Sequence, residues 1–192
     1  FLFAVAEALG IERSLAEEAS ESEKQVYYDY LERLADIYND IDLQRYAVIV
    51  GDSNYAPAVS RFLSDELGWL PELAVITDFL DERQKNILEK RFENYESGIR
   101  PMVRFDTDAS SVKRYMADIW PRNRNQRYYD SMNPTVVIGS VYERELAAEF
   151  GYPLLTLSFP VTNRVVLNRA YAGTNGALSL AEDLFSILVA GR

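Results

Sequence analysis

The fold of this chain is decided by the stretch YAVIVGDSN at residues 46–54. Residues 46–50 are apolar and rich in β-branched side chains, which is typical of a strand buried on both faces of a parallel sheet. Residues 51–54 are small or polar and predict a turn. Residues 56–67 then repeat apolar side chains at helical spacing and stop at Gly68, so a helix is predicted there. Strand, turn and helix together make the first half of a βαβ unit.

The same pattern recurs towards the C terminus. Further short apolar runs predict strands at residues 73–77, 102–105, 135–139 and 154–159. Periodic segments between and after them predict helices at residues 81–95, 110–120, 143–150 and 176–189. Alternating strands and helices give parallel sheets with right-handed crossovers. We therefore predict a Rossmann-like, doubly wound α/β fold whose mainly parallel sheet has about five strands.

The residues before the first strand follow a different pattern. Apolar positions at helical spacing predict a first helix that stops at Gly10 and a second that starts near residue 20. Acidic residues lie between these helices or early in the second, where they favour the positive end of a helix dipole. The predicted organisation is an N-terminal helical arm over residues 1–43 and a Rossmann-like domain over residues 44–192.

Length and charge exclude some classes of protein. The chain has 192 residues, a length typical of one domain or of a domain with an appendage. It carries 20 Lys and Arg against 30 Asp and Glu, a net charge of −10. Because neutralisation of phosphates dominates affinity for nucleic acid, a generally basic nucleic-acid binder is excluded.

The sequence contains neither cysteine nor histidine. It therefore cannot build a disulfide, a thiolate nucleophile, a cysteine-ligated iron–sulfur cluster or a histidine general base. An independent hydrolase would lack a recognisable pair of nucleophile and base. Composition thus argues against a self-sufficient metalloenzyme or redox enzyme, and we assign no catalytic residue.

No apolar stretch approaches the roughly 18 residues that a membrane span needs. Residues 1–6 are apolar but lack the basic flank of a signal peptide and run into acidic side chains. We therefore expect a cytoplasmic protein with no membrane partner. Because the first residue is Phe rather than Met, we also expect the sequence to be a piece of a longer chain.

Asp36 and Asp40 form a candidate metal site. They stand four residues apart on one predicted helix, so both carboxylates share a face, and Asp42 follows closely. Such like charges are mildly destabilising unless a hard cation such as Ca²⁺ or Mg²⁺ neutralises them. Two carboxylates are fewer than the oxygens Ca²⁺ requires, so water or a partner surface would complete the shell. The alternative is a solvated acidic helix end.

A second candidate site is the carboxyl edge of the predicted sheet, near Asp52, Thr77 and Ser140. Ligands of open α/β sheets bind at such edges, and a stand-alone small-ligand-binding module would use these residues. The turn at residues 51–54 does not match the glycine-rich dinucleotide fingerprint, so a helix-capping turn is the alternative. A ligand module predicts convergent polar groups in a concave pocket, whereas a framework domain predicts an uncovered apolar surface with tyrosine-rich patches.

Two further features suggest contacts with a partner. The basic loop at residues 121–127 contains three arginines that could clamp phosphates or form a docking surface, which are Arg122, Arg124 and Arg127. Adjacent tyrosines on a helix point in different directions, so one of each pair is available to a partner. These tyrosines are Tyr27, Tyr28, Tyr30, Tyr128 and Tyr129.

The segment PLLTLSFPVTNR at residues 153–164, followed by YAG at 171–173 and GAL at 176–178, resembles the closing segment of nitrogenase component 1 chains. RYAVIVGD at residues 45–52 is similar to the strand–helix unit of that family, and IGS at 138–140 to another of its units. The order and spacing agree over residues 25–190. Gly173 and Gly176 would let the chain turn sharply into the last helix.

The resemblance implies a C-terminal domain of a beta-type chain, of the molybdenum–iron protein or a close relative. It implies a structural and subunit-interface role in a complex that reduces dinitrogen with electrons from an ATP-driven iron protein. Expected partners are an alpha chain and a second beta chain in an α₂β₂ assembly. Iron–sulfur clusters and a molybdenum- or other metal-containing cofactor would belong to the parent complex and not to this fragment. In that family an acidic pair matching Asp36 and Asp40 binds a structural divalent cation between beta chains.

Overall fold

The computed structural model describes residues 2–40, 43–119, 135–162, 165 and 168–190, without the side chains of residues 36, 37, 39 and 40. The α-helices in this part of the chain are α1 Leu2–Ala8, α2 Arg13–Asp40, α3 Tyr55–Arg61, α4 Glu82–Glu93, α5 Val112–Ile119, α6 Arg144–Phe150 and α7 Gly173–Ala190. The strands are β1 Tyr46–Gly51, β2 Leu70–Ile76, β3 Met102–Phe105, β4 Thr135–Gly139 and β5 Leu154–Thr156.

The chain forms two compact units. The helical unit comprises Phe1–Leu43 and Leu167–Phe185, and the sheet unit comprises Gln44–Val166 and Ser186–Arg192. The division predicted from sequence, an N-terminal helical arm over residues 1–43 and a Rossmann-like domain over residues 44–192, stays a prediction. Among the described residues, none of the helices combines the length and the apolar character needed to cross a bilayer.

The sheet unit confirms the predicted α/β fold. Its five strands are all parallel and follow the order β3-β2-β1-β4-β5. The register places Val48 beside Leu73 and Val50 beside Val75, so that these side chains share one face. The chain moves outward from β1 to β3 and then returns to pair β4 with the other side of β1, which is the doubly wound arrangement.

Helices cover both faces of the sheet. On one face, the buried Val48, Val50, Leu73 and Val75 pack with residues of α5, which are Val112 and Met116. Ala47 and Ile49 alternate with the β1 members of this cluster and are buried on the other face, where α3 contacts β1 and β2. Continuous apolar strands are the expected consequence of this two-sided burial.

β5 ends earlier than its apolar sequence predicts. The predicted strand continues to residue 159, whereas β5 stops at Thr156. The backbone N–H groups of Leu157 and Ser158 both donate to the carbonyl oxygen of Gly139, each at 2.8 Å. Because two successive amides converge on one oxygen, the chain turns away from the ladder at this point.

Helix α2 begins at Arg13, several residues before the predicted start. Arg13 Nε lies 2.9 Å from Glu17 Oε1, and Lys24 Nζ lies 2.7 Å from Glu21 Oε1. Acidic residues interpreted as marking a helix start therefore lie inside one long helix, where some of them pair with basic side chains one turn away.

Candidate functional site

The carboxyl edge of the sheet unit is where a fold of this topology would hold a ligand. The strand order reverses direction at β1, because β2 pairs with one side of β1 and β4 with the other. The crevice at such a switch point is the usual binding site of doubly wound sheets. The residues predicted from sequence, Asp52, Thr77 and Ser140, all follow strands that end at this edge.

Asp52 caps the turn after β1. Its Oδ1 accepts hydrogen bonds from the backbone N–H of Asn54 at 2.7 Å and of Tyr55 at 2.8 Å. This satisfies amides at the start of α3 that have no partner within the helix. The helix-capping alternative for residues 51–54 is therefore confirmed.

The space above the end of β1 is filled by a side chain from the loop after β5. Ser158 Oγ donates to the carbonyl oxygen of Val50 at 3.2 Å. A Cβ added to Gly51 would lie 2.7 Å from this Oγ, closer than non-bonded atoms approach. Gly51 thus leaves room for Ser158 Oγ, which would have to shift if residue 51 carried a Cβ.

The loops after β1 and β2 are joined by hydrogen bonds. The backbone N–H of Thr77 and its Oγ1 donate to the carbonyl oxygen of Gly51, at 3.0 and 3.3 Å. Asp78 Oδ2 accepts from the backbone N–H of Ser53 at 2.8 Å. The polar groups of these two loops therefore bond to one another.

A buried carboxylate occupies the corresponding place after β4. Glu143 is 2% exposed, and its Oε2 accepts from the backbone N–H of Ser140 at 2.6 Å and from Ser140 Oγ at 2.8 Å. Ser140 Oγ accepts in turn from the backbone N–H of Tyr142 at 3.1 Å. This capping box was missed by the sequence reasoning, although a serine followed three residues later by glutamate is its signature.

The predicted polar residues are thus brought to one edge but do not converge on a common point. Asp52 and Ser140 bond to atoms of the turns that carry them, and Thr77 bonds to Gly51 at the end of the neighbouring strand β1. A ligand site needs polar groups aimed at a shared space. The geometry gives no support to the small-ligand module.

The edge instead presents exposed aromatic rings. The exposed fraction is 40% for Tyr55, 97% for Phe79, 69% for Tyr142 and 93% for Phe159. The sequence reasoning did not single out these four residues. The available signal was an aromatic residue three or four residues after the end of each of four strands, where a polar residue is usual.

The helical unit also exposes tyrosine side chains. Tyr27 is buried, whereas Tyr28 and Tyr30 are about half exposed. Adjacent tyrosines therefore do face different surroundings, as helix geometry requires. Tyr128 and Tyr129, together with Arg122, Arg124 and Arg127, lie outside the described residues.

Helix α2 carries the positions of Asp36 and Asp40 near its C-terminal end. Their side chains lie outside the description, so the predicted cation pair stays a prediction. Among the described residues, no group of three or more acidic side chains is arranged to hold a metal ion.

Two side chains of the sheet unit with shifted pKa values, Asp65 and Tyr95, have structural partners. Burial would raise the pKa of Asp65, but hydrogen bonds from the backbone N–H of Ser97 at 3.0 Å and of Glu96 at 3.2 Å outweigh it and lower that pKa. Burial raises the pKa of Tyr95 to about 12, and its hydroxyl donates to the carbonyl oxygen of Pro57 at 3.1 Å. Both groups fasten the segment after α4 to the α3 region, which assigns them to the scaffold.

Comparison with known proteins places these features in a family. The family model described as nitrogenase component 1 type oxidoreductase matches residues 1–188. The nitrogenase molybdenum-iron protein beta chain of Methanococcus maripaludis is 27% identical over 161 residues, which cover 83% of this chain and 31% of that protein. The beta chain from strain S2 of this species gives the same values.

A solved structure titled "Nitrogenase Cp1 at pH 6.5" shares the fold, with a TM-score of 0.71 and 22% identity. The match covers 98% of this chain and 36% of the solved chain. This chain therefore spans about a third of the length of the relatives it matches. Because the family model matches nearly the whole sequence, the chain belongs to the nitrogenase component 1 type oxidoreductases.

Proposed function

We propose that this chain is a structural and subunit-interface domain of a nitrogenase-like oxidoreductase, equivalent to the C-terminal part of a beta-type chain. Family membership and the likeness to a molybdenum-iron protein beta chain support this proposal. The proposed partners are an alpha chain and a second beta chain in an α₂β₂ complex. The complex would reduce dinitrogen with electrons from an ATP-driven iron protein.

The observation that carries the proposal is the apolar surface of the helical unit. Large apolar side chains are exposed along α1, the following turn and α2 as far as Tyr30, where a helix facing water is usually polar. They are Leu2, Phe3, Val5, Leu9, Ile11, Leu15, Val26, Tyr28 and Tyr30. Exposed apolar residues in this number are typical of a surface that another protein covers.

The donor atoms of the chain do not suit the redox centres of such a complex. Iron–sulfur clusters are held by cysteine thiolates, sometimes with histidine, and the sequence contains neither residue. We therefore propose that clusters and any molybdenum- or other metal-containing cofactor are bound by other parts of the complex. The contribution of this chain is to position those parts.

Asp36 and Asp40 are proposed to bind a structural Ca²⁺ or Mg²⁺ between neighbouring subunits. Both positions belong to α2 and are one helical turn apart. A cation bound by these carboxylates and completed by a second chain would contribute to the interface without taking part in the reaction.

The proposal is tested by assembly. The purified chain is mixed with the alpha-type component 1 chain of the same organism, and sedimentation velocity is recorded. We expect a species heavier than either chain alone. A variant carrying Leu9→Ser and Leu15→Ser should form less of it, because exposed apolar contacts are lost while the fold is kept. Circular dichroism checks the fold, and two chains that sediment independently at micromolar concentrations would contradict the proposal.

A further inference from the structure

The exposed rings at the carboxyl edge of the sheet unit form one surface, here named the aromatic rim and defined by Tyr55, Phe79, Tyr142 and Phe159. Each ring follows a different strand, β1, β2, β4 or β5. Two of them, Phe79 and Phe159, are more than nine-tenths exposed. Scattered apolar residues are normal on protein surfaces, but aromatic rings repeated along one sheet edge are typical of a binding surface.

The loops that carry these rings are tied side by side. Asp78 bonds to Ser53, which joins the loop of Phe79 to that of Tyr55. The backbone N–H of Val141 donates to the carbonyl oxygen of Pro160 at 3.0 Å, which joins the loop of Tyr142 to that of Phe159. The bond from Ser158 to Val50 links the β5 loop to β1. Loops held by their own hydrogen bonds lose little backbone conformational entropy on binding.

The charge of this edge indicates the kind of partner. Asp52 and Asp78 are half-buried beside the rim, and within the described part of the chain no Lys or Arg lies within 4.0 Å of either carboxylate. The whole chain has a net charge of −10. A second copy of the same surface would place carboxylates against carboxylates, which is unfavourable. A surface with Lys or Arg side chains between apolar residues would complement both features, since cations also bind the faces of aromatic rings.

We propose that the aromatic rim is a docking surface for a partner protein surface in which Lys or Arg side chains alternate with apolar ones. The inference rests on the proposed function, because it names a second surface, in addition to the apolar surface of the helical unit, through which this chain meets the alpha-type component 1 chain. The internally bonded turns of this edge hold the backbone that carries the rings, and the two carboxylates set the charge that the partner must carry.

The test measures, by isothermal titration calorimetry, how tightly a rim variant and a control variant bind the alpha-type chain. The rim variant carries Phe79→Ser and Phe159→Ser. The matched control carries Ile87→Ser and Val189→Ser, which remove exposed apolar side chains of the same unit away from the rim. We expect the rim variant to bind at least about tenfold more weakly and the control to bind within about threefold of the wild type.

The charge of the partner is tested with Asp78→Asn and with salt. The asparagine oxygen can still accept from the backbone N–H of Ser53, so that the variant removes charge and keeps the turn. We expect weaker binding for this variant at about 0.05 M salt and a smaller difference at about 0.5 M, where screening is strong. An affinity that depends neither on Asp78 nor on salt would overturn the proposal that the partner surface is basic.

The remaining outcomes separate the inference from the function on which it rests. Equal binding by the wild type and the rim variant would overturn the docking surface and leave the subunit-interface role intact. Absence of any complex with wild-type chain would overturn the proposed function. If the wild-type chain self-associates and the rim variant does not, the rim binds a second copy of this chain. That result would overturn the partner proposed here. Since Phe79 is 97% exposed, Phe79→Ser alone supplies a variant that keeps the fold if the double variant does not.

Discussion

Replacing Gly176 with alanine is expected to destabilise the helical unit by about 3 kcal/mol, because the added methyl group would overlap backbone atoms. A Cβ at this position would lie 2.8 Å from the Cα of Tyr171 and 3.0 Å from its carbonyl oxygen. Gly176 is buried in the first turns of α7, where the preceding segment folds back against the helix. Relief of the overlap requires movement of backbone, which is stiffer than a side-chain tip.

The segment around Tyr171, which would have to move, is bonded to α7 through two of its side chains. The Tyr171 hydroxyl donates to Asp183 Oδ2, and Arg169 lies 3.1 Å from Glu182 and 3.2 Å from Asp183. A shift that makes room for the methyl group would strain these bonds to α7. The cost of the substitution therefore includes part of this network as well as the overlap itself.

Asn175→Ala is the matched control, since it places the same residue at an exposed neighbouring position of α7. It should change the free energy of unfolding by no more than about 0.5 kcal/mol. Urea unfolding measures the free energies, and hydrogen exchange of α7 peptides locates the effect. Equal stabilities for the two variants would show that the segment at Tyr171 does not press on Gly176.

Replacing Glu143 with alanine is expected to destabilise the sheet unit by about 3 kcal/mol, because buried donors of Ser140 lose their acceptor. Ser140 is itself buried, and both its backbone N–H and its hydroxyl bond to Glu143 Oε2. Neither group can turn to bulk water without opening the turn after β4. In the wild type, Glu143 packs closely against Gly139, where an added Cβ would lie 2.6 Å from Glu143 Oε2. Deleting the side chain therefore also leaves a cavity beside Gly139.

Two variants separate the capping bonds from general effects of substitution. Glu143→Gln keeps the volume and an acceptor oxygen, so its loss of stability should be smaller than that of the alanine variant. Glu145→Ala removes an exposed carboxylate from the same helix and should be nearly neutral. Urea unfolding compares the free energies of unfolding of these three variants. Equal stabilities for Glu143→Ala and Glu145→Ala would contradict the stabilising role of the buried capping box.

Much of the sheet was predictable because its strands are short apolar runs. β3 and β4 have the predicted bounds, Met102–Phe105 and Thr135–Gly139. β4 is buried at every position, as a strand covered on both faces should be, whereas β3 lies at the edge of the sheet and is half-buried throughout. The end of β5 was not predictable from its apolar residues. It depends on two amides that bond to Gly139, a residue distant in sequence.

The glycine positions at the start of the last helix were also informative. Gly173 adopts a φ of 70°, which a side chain would strain, and Gly176 meets the Tyr171 backbone. Both were predicted to allow a sharp turn into the last helix, and the structure supplies two distinct physical reasons. One glycine is needed for its backbone conformation and the other for lack of a Cβ.

The features of the carboxyl edge were harder to predict. Asp52, Thr77 and Ser140 were correctly placed at strand ends, but whether they face a ligand or one another depends on bonds between loops. The exposure of Phe79 and Phe159 is likewise a tertiary property. A ring in a turn has the same local sequence whether it packs inward or faces solvent, so only the folded chain distinguishes the two.

The central claim, that this chain is framework and holds no redox centre of its own, is tested most directly by its iron content. The chain is expressed under conditions that support cluster assembly, purified, treated with a chelator and analysed by mass spectrometry of the metal. Lacking thiolate and imidazole ligands, it should retain far fewer iron atoms than there are chains. Tightly held iron in stoichiometric amount would contradict the claim.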